Sequence, residues 1–281
     1  MRQLLWASAC ALSLCSITTA AMAGGVESKT TNRLIAVDTV KVSGTLHVFL
    51  RSAKHTGHIT LKGKGASHVI KQVRGHVLTL VAPSYDGATY PASVVVSLPK
   101  PLRRVVALSG AQVIGRHLAT SKLSVAMDGV SIVDLGGIVN LESADLLGDS
   151  NLYLEWVKSP HLTLRQGGVS AVHLAGKVGF FDAKLMGRST MYGQYLNAKT
   201  VFVSTDDNAM AYVSPINNFR AFAKGRSNIY YFTRPKHQTD QAKLHGNIFF
   251  LGTSMDPWGN MDRFFEYHEH LVAKQAKKHK S

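Results

Sequence analysis

The sequence predicts an all-β fold: a single-stranded right-handed parallel β-helix, or β-solenoid, of about 19–20 residues per coil, with a C-terminal helical cap or tail. Three observations carry this. Two-residue turn signals recur at nearly constant spacing, the same chemistry recurs at fixed offsets after each turn, and apolar residues between turns alternate with period two.

The turn signals are Ser109-Gly110, Asp128-Gly129, Gly148-Asp149, Gly167-Gly168, Gly187-Arg188, Asp206-Asp207 and Gly225-Arg226, whose first members are spaced 19, 20, 19, 20, 19 and 19 residues apart. Two residues past each turn stand Gln112, Ser131, Asn151, Ser170, Thr190, Ala209 and Asn228, which are small and mostly polar. The next position is apolar throughout: Val113, Ile132, Leu152, Ala171, Met191, Met210 and Ile229. A second strand in each unit shows in Leu123 and Val125, Leu162 and Leu164, Phe181 and Ala183, and Val201 and Val203. One such coil cannot bury its apolar face alone, whereas coils stacked about 4.8 Å apart share one interior and turn each column into a ladder along the axis. The polar column is then a candidate ladder of Ser and Asn side chains, and the apolar column is assigned to the interior.

The division of the chain follows. Residues 1–23 begin with Arg2, run through an apolar stretch from Leu4 to Ile17 and end Ala21-Met22-Ala23, which reads as a secretory signal peptide. Both cysteines, Cys10 and Cys15, lie inside it, so the mature chain is expected to lack disulfides and to rely on its core. Residues 24–108 are strand-rich but poorly periodic and are expected to form the entry to the solenoid, with Pro99 and Pro101 at the junction. The regular coils occupy 109–233, and 234–281 form a cap and basic tail, with a helix from Asp256-Pro257 that would place Phe264, Tyr267 and Leu271 on one side.

The run from Val40 through Gly44 to Leu50, the segment Gly75-His76-Val77-Leu78-Thr79-Leu80, the Ser109-Gly110-Ala111 entry, the Gly-x-Ser turns and the closing Gly225-Arg226-Ser227-Asn228-Ile229-Tyr230-Tyr231 resemble the putative auto-transporter adhesin, head GIN domain family. The resemblance spans roughly residues 34 to 233 and implies a β-helical fold at the bacterial envelope or surface. Its motif consists of turn and core positions and brings no catalytic residue with it.

Charge narrows the partners. The 281 residues carry 32 Lys and Arg against 17 Asp and Glu, a formal charge of +15. For an exported chain this points to anionic envelope material such as lipopolysaccharide, acidic glycans or lipid head groups, and no nucleic acid is expected. Lys274, Lys277, Lys278 and Lys280 crowd the tail and are candidate contacts to an anionic surface, giving the tail a possible peripheral membrane role. Four residues past each turn, Tyr153, Tyr192 and Tyr230 share a column with Ile114, Val133, Val172 and Ala211, a candidate binding stripe suited to sugars or a protein partner. A corner of the coil is the alternative reading of that column.

Asp206 and Asp207 are the one adjacent acidic pair among the turns, and β-helical polysaccharide lyases and hydrolases use such pairs as acid and base. The slot is also one that Asp128 and Asp149 occupy, so turn chemistry is the first reading. The 13 histidines include His55, His58, His268 and His270, but no acid or thiol partner stands at a regular offset, and neither a metal nor a cofactor is expected. The expected function is a non-enzymatic, adhesion-like binding module. A polysaccharide-active enzyme and a self-associating structural envelope protein are the alternatives, with the ligand and oligomeric state left open.

Overall fold

A computed structural model describes residues 34–63, 65–83, 92–118 and 120–252. The strands are β1 (Thr39–Ser43), β2 (Leu46–Ser52), β3 (His58–Lys62), β4 (Ile70–Arg74), β5 (Val77–Val81), β6 (Ala92–Leu98), β7 (Leu102–Leu108), β8 (Gln112–Arg116), β9 (Thr120–Asp128), β10 (Ile132–Val139), β11 (Leu141–Leu146), β12 (Asn151–Gln166), β13 (Ala171–Leu185), β14 (Thr190–Thr205), β15 (Met210–Ala223), β16 (Asn228–Tyr231), β17 (His237–Ala242) and β18 (Asn247–Phe250). They wind a β-solenoid of about seven turns. From β8 onward neighbouring strands pair in parallel and in chain order. In β12 to β15 one long strand makes nearly a whole coil, bent where its register shifts, as between Leu154 and Val157. Such irregularities let a strand turn a corner without losing its ladder.

Alternation puts one side chain of each pair inside. Val48, Val113, Val133, Leu152, Val172, Met191, Ala211 and Ile229 stack in register down one wall. Val40, Val105, Val125, Ala144, Leu164, Ala183, Val203 and Ala221 stack down another. All are buried. Each Val or Leu so buried stabilises by about 1.5–3 kcal/mol relative to exposure, and the stacking makes that gain continuous from coil to coil.

This register corrects two sequence columns. The residue that recurs is the one in the left-handed region at each turn: Ser109, Gly129, Gly148, Gly168, Gly187, Asp207, Gly225 and Leu244. Counting from the first member of each turn dipeptide slips by one in the coils that begin at Asp128, Gly167 and Asp206. Ile132, Ala171 and Met210, expected inside, therefore face outward and are half-buried, while Val133, Val172 and Ala211, expected on the stripe, are core. The expected Ser/Asn ladder is likewise two columns. Ser131, Ser150, Ser170, Ser189 and Ser227 are buried at the turn. There Ser189 and Ser227 donate to the Met186 and Lys224 carbonyls at 2.9 and 2.7 Å. The asparagines face outward, where Asn247 Nδ2 donates to Asn228 Oδ1 at 3.0 Å. The turns pack closely enough to require glycine: at Gly168 (φ +71°) a Cβ would stand 2.5 Å from the Gly148 carbonyl oxygen.

The entry region is interleaved rather than stacked in chain order. β1 lies between β5 and β7, and β2 between β6 and β8, all in parallel. The chain thus lays down its second coil first, loops outward through β3 and β4, and returns as the outermost coil, β5 and β6. β4 pairs antiparallel with β5 and β3 with β6, closing that end. At the other end the stacking continues past Tyr231: β17 pairs with β15, and β18 with β16. There is no α-helix among the described residues, and the helix expected from Asp256 lies outside them.

A ring ladder as candidate binding face

The third outward position after each left-handed turn residue reads Ile114, Asp134, Tyr153, His173, Tyr192, Tyr212, Tyr230 and Phe249 in paired register. Six consecutive coils thus place a ring at the same spot. Tyr153 and His173 stack with centroids 4.9 Å apart and planes 17° from parallel, and His173 and Tyr192 at 4.4 Å and 14°. The stack continues through Tyr192–Tyr212 at 5.4 Å and 6°, Tyr212–Tyr230 at 4.9 Å and 16°, and Tyr230–Phe249 at 5.4 Å and 19°. These spacings are those of the strands themselves, so the backbone ladder holds the rings face to face at no added cost in side-chain ordering. The five rings from Tyr153 to Tyr230 are half-buried, and in their coils the register shifts that bend the strand follow at Leu154/Val157, His173/Ala175 and Gly193/Asn197; Phe249 is exposed.

Stacking has a consequence for recognition. The face of each inner ring is covered by its neighbours, so the column offers ring edges and polar tips. A sugar cannot lie flat on an inner ring. The outward column is a line of four phenols and one imidazole repeating at the coil spacing, with Asn151, Thr190 and Asn228 two residues before Tyr153, Tyr192 and Tyr230.

At its start the ladder meets charge. Arg116 holds Asp134 in a bidentate pair, with Nη1–Oδ1 and Nη2–Oδ2 both 2.7 Å, and Asp134 is only 4% exposed. Burial, then the Asp134 carboxylate, then Tyr192 push the Tyr153 phenol above its ordinary value. Burial also raises Tyr212, with Tyr230 and Tyr192 adding to it. The effect is to keep these hydroxyls protonated, as donors and acceptors together.

Of the sequence candidates, Tyr153, Tyr192 and Tyr230 belong to this ladder. His173, Tyr212 and Phe249 complete it, and the one-residue slip hid the first two; aligning their coils on Gly168 and Asp207 instead of Gly167 and Asp206 would have shown them. Asp206 and Asp207 stand apart, in a turn. Asp206 Oδ1 accepts the Asp207 N–H at 2.8 Å and its other oxygen pairs with Lys224 at 3.1 Å, while Asp207 Oδ2 accepts the Gly187 N–H at 3.1 Å. The Asp207 N–H first and the Lys224 ammonium second lower the Asp206 carboxyl. Asp207 itself takes the left-handed position (φ 59°), so both acids engage turn backbone. Lys274, Lys277, Lys278 and Lys280 lie outside the described residues. No group of three or more His, Cys, Asp or Glu suited to a metal occurs among the described residues.

The model of the putative auto-transporter adhesin, head GIN domain family matches residues 36–235. The chain belongs to this family. Its fold is similar to crystal structures of a putative adhesin from Parabacteroides merdae (TM-score 0.64, 19% identity, 78% of this chain and 92% of that one) and a putative lipid binding protein from Parabacteroides distasonis (0.63, 13%, 77% and 94%). A second putative adhesin from Parabacteroides distasonis is similar at TM-score 0.59 and 17% identity over 76% of this chain and 92% of that one. No curated protein matches the chain. At these identities the likeness to solved structures concerns the fold alone.

Proposed function

We propose that this family member is an exported, non-enzymatic binding module of the bacterial envelope whose ring ladder engages an extended glycan. The observation that carries the reading is the continuous stack from Tyr153 to Phe249, a flat face whose polar tips repeat at the coil spacing. A polymer with its own repeating hydroxyls can bridge several rungs, so weak contacts add along its length. The signal-like residues 1–23, membership of an adhesin-named family and the names of its structural neighbours support export and an adhesion-like role.

The test is calorimetric titration of the purified chain with neutral and acidic envelope polysaccharides and with their short oligomers. Affinity should rise with oligomer length and fall at least tenfold in a Tyr192→Ala/Tyr212→Ala variant that keeps its far-UV circular dichroism. Length-independent binding, or binding indifferent to that double variant, overturns the reading. Polysaccharide cleavage lost on Asp206→Asn or Asp207→Asn would favour an enzyme instead.

A further inference from the structure

About half of the net charge of this protein falls in its entry region. Residues 34–104 hold ten Lys and Arg against two Asp, a surplus of eight out of the fifteen net charges. From Arg51 to His76, twenty-six consecutive residues include six Lys and Arg, four His and no acid. Folding places β3 and β4 of this stretch as the antiparallel layer that closes the first end of the solenoid, while Arg51 lies in β2 one coil in. Ile59 and Leu61 of β3 and Val73 of β4 pack down on the core. His58, Lys62, Lys71 and Arg74 are exposed.

One use of such residues is to blunt a sheet edge, since Lys on an outer strand opposes pairing with another chain. That role calls for one or two charges per edge strand. It does not account for Arg51 and Lys54 beyond the edges, nor for the lack of any acid across the layer.

We infer that this end is a docking surface for an anionic lipid bilayer. Two features favour a bilayer over a soluble polyanion. The cations spread over an end of the molecule instead of lining a groove that a chain could follow. Ile70, 52% exposed, shares the outward side of the outer strand β4 with Arg74, and an apolar side chain beside a cation gains from a lipid interface and nothing from a dissolved polyanion. Docked by this end, the solenoid carries its ring ladder away from the surface. The inference does not depend on the glycan reading.

Vesicle flotation of the full chain tests it, comparing phosphatidylcholine vesicles with vesicles containing one-quarter phosphatidylglycerol, at physiological salt. Binding is expected only to the anionic vesicles. Lys62→Gln/Lys71→Gln/Arg74→Gln should lower it roughly a hundredfold, since each basic residue near the surface counts for about one factor of five. Ile70→Ser should lower it a few-fold with charge unchanged, and Tyr192→Ala/Tyr212→Ala should leave it intact. Replacing Lys274, Lys277, Lys278 and Lys280 by Gln should also leave it intact. Should the triple variant fail to fold, Lys62→Gln/Lys71→Gln reads the same loss at smaller size. The inference is overturned by no binding, by a triple variant that floats like wild type, by loss confined to the tail variant, or by soluble polyphosphate binding equally well with Ile70→Ser without effect.

Discussion

The two ends of this solenoid solve the same problem differently. Any stack of coils leaves an open sheet edge and an uncovered core at each end. At the first end the chain folds back, and β3 and β4 run antiparallel across the outermost coil, with Ile59, Leu61 and Val73 packed on the core and Lys62 and Arg74 outward. At the second, the described residues end on two short parallel strands: β17 is exposed throughout, and Phe249, Phe250 and Leu251 are 43%, 38% and 44% exposed. A cap made by reversing direction needs its own sequence, which is why the entry region lacks the repeat. Parallel stacking can continue for as long as the repeat does, and among the described residues it runs to β17 and β18.

That contrast can be broken or sharpened by experiment. The largest effect belongs between the ends, where every coil has two neighbours: Phe181, 1% exposed, should cost about 4 kcal/mol on replacement by Ala, read from urea unfolding. Next comes Gly176, at φ +131°, where a Cβ would run into the Val157 carbonyl oxygen. Gly176→Ala should cost about 3 kcal/mol by the same measurement. Arg116→Met leaves Asp134 without its bidentate partner at the start of the ladder and is expected to cost about 2 kcal/mol, with Asp134→Asn in the same background recovering part of it.

A smaller effect comes from the phenols. Tyr153 and Tyr212 titrate above 10.0 in the folded chain. Their contribution is therefore complete below about pH 10 and is lost as pH rises through the folded values. Ultraviolet titration should show phenolate from these two appearing last, and Tyr192→Ala should bring it earlier. The smallest effect is at the second end, where Leu244 takes a left-handed turn (φ 60°) while 77% exposed. Leu244→Gly should gain up to about 1 kcal/mol, seen as slower amide exchange confined to β17 and β18. Equal exchange protection of β18 and β6 would remove the difference between the ends altogether.

How far the sequence could be read depended on what each turn advertised. The units from Ser109 to Gly225 announced coil length and alternation, because Gly and Asp mark turns and Val, Leu and Phe mark strands. The register was ambiguous where the dipeptide was Asp-Gly, Gly-Gly or Asp-Asp, since either member of such a pair can take a positive φ. That ambiguity split the ring column and moved Ile132, Ala171 and Met210 inside on paper. The coil of β17 and β18 escaped notice because Leu244 fills a slot elsewhere occupied mainly by glycine, and β17 has no apolar alternation to read.

By itself, then, the sequence determined an all-β coil of 19–20 residues, the alternation that buries valines and leucines, and one column shared by Tyr153, Tyr192 and Tyr230. These follow from local rules, the period-two alternation of a strand and the conformational demands of turns. Only the tertiary structure decided that β1 and β2 slip between coils made later, that His173, Tyr212 and Phe249 join the stack, and that a basic stretch without acids becomes one end of the molecule. Those outcomes depend on which strands exchange hydrogen bonds across a whole coil. Pairing partners of that kind are chosen by burial and by the position of one backbone dihedral per turn, and neither is visible in the local pattern.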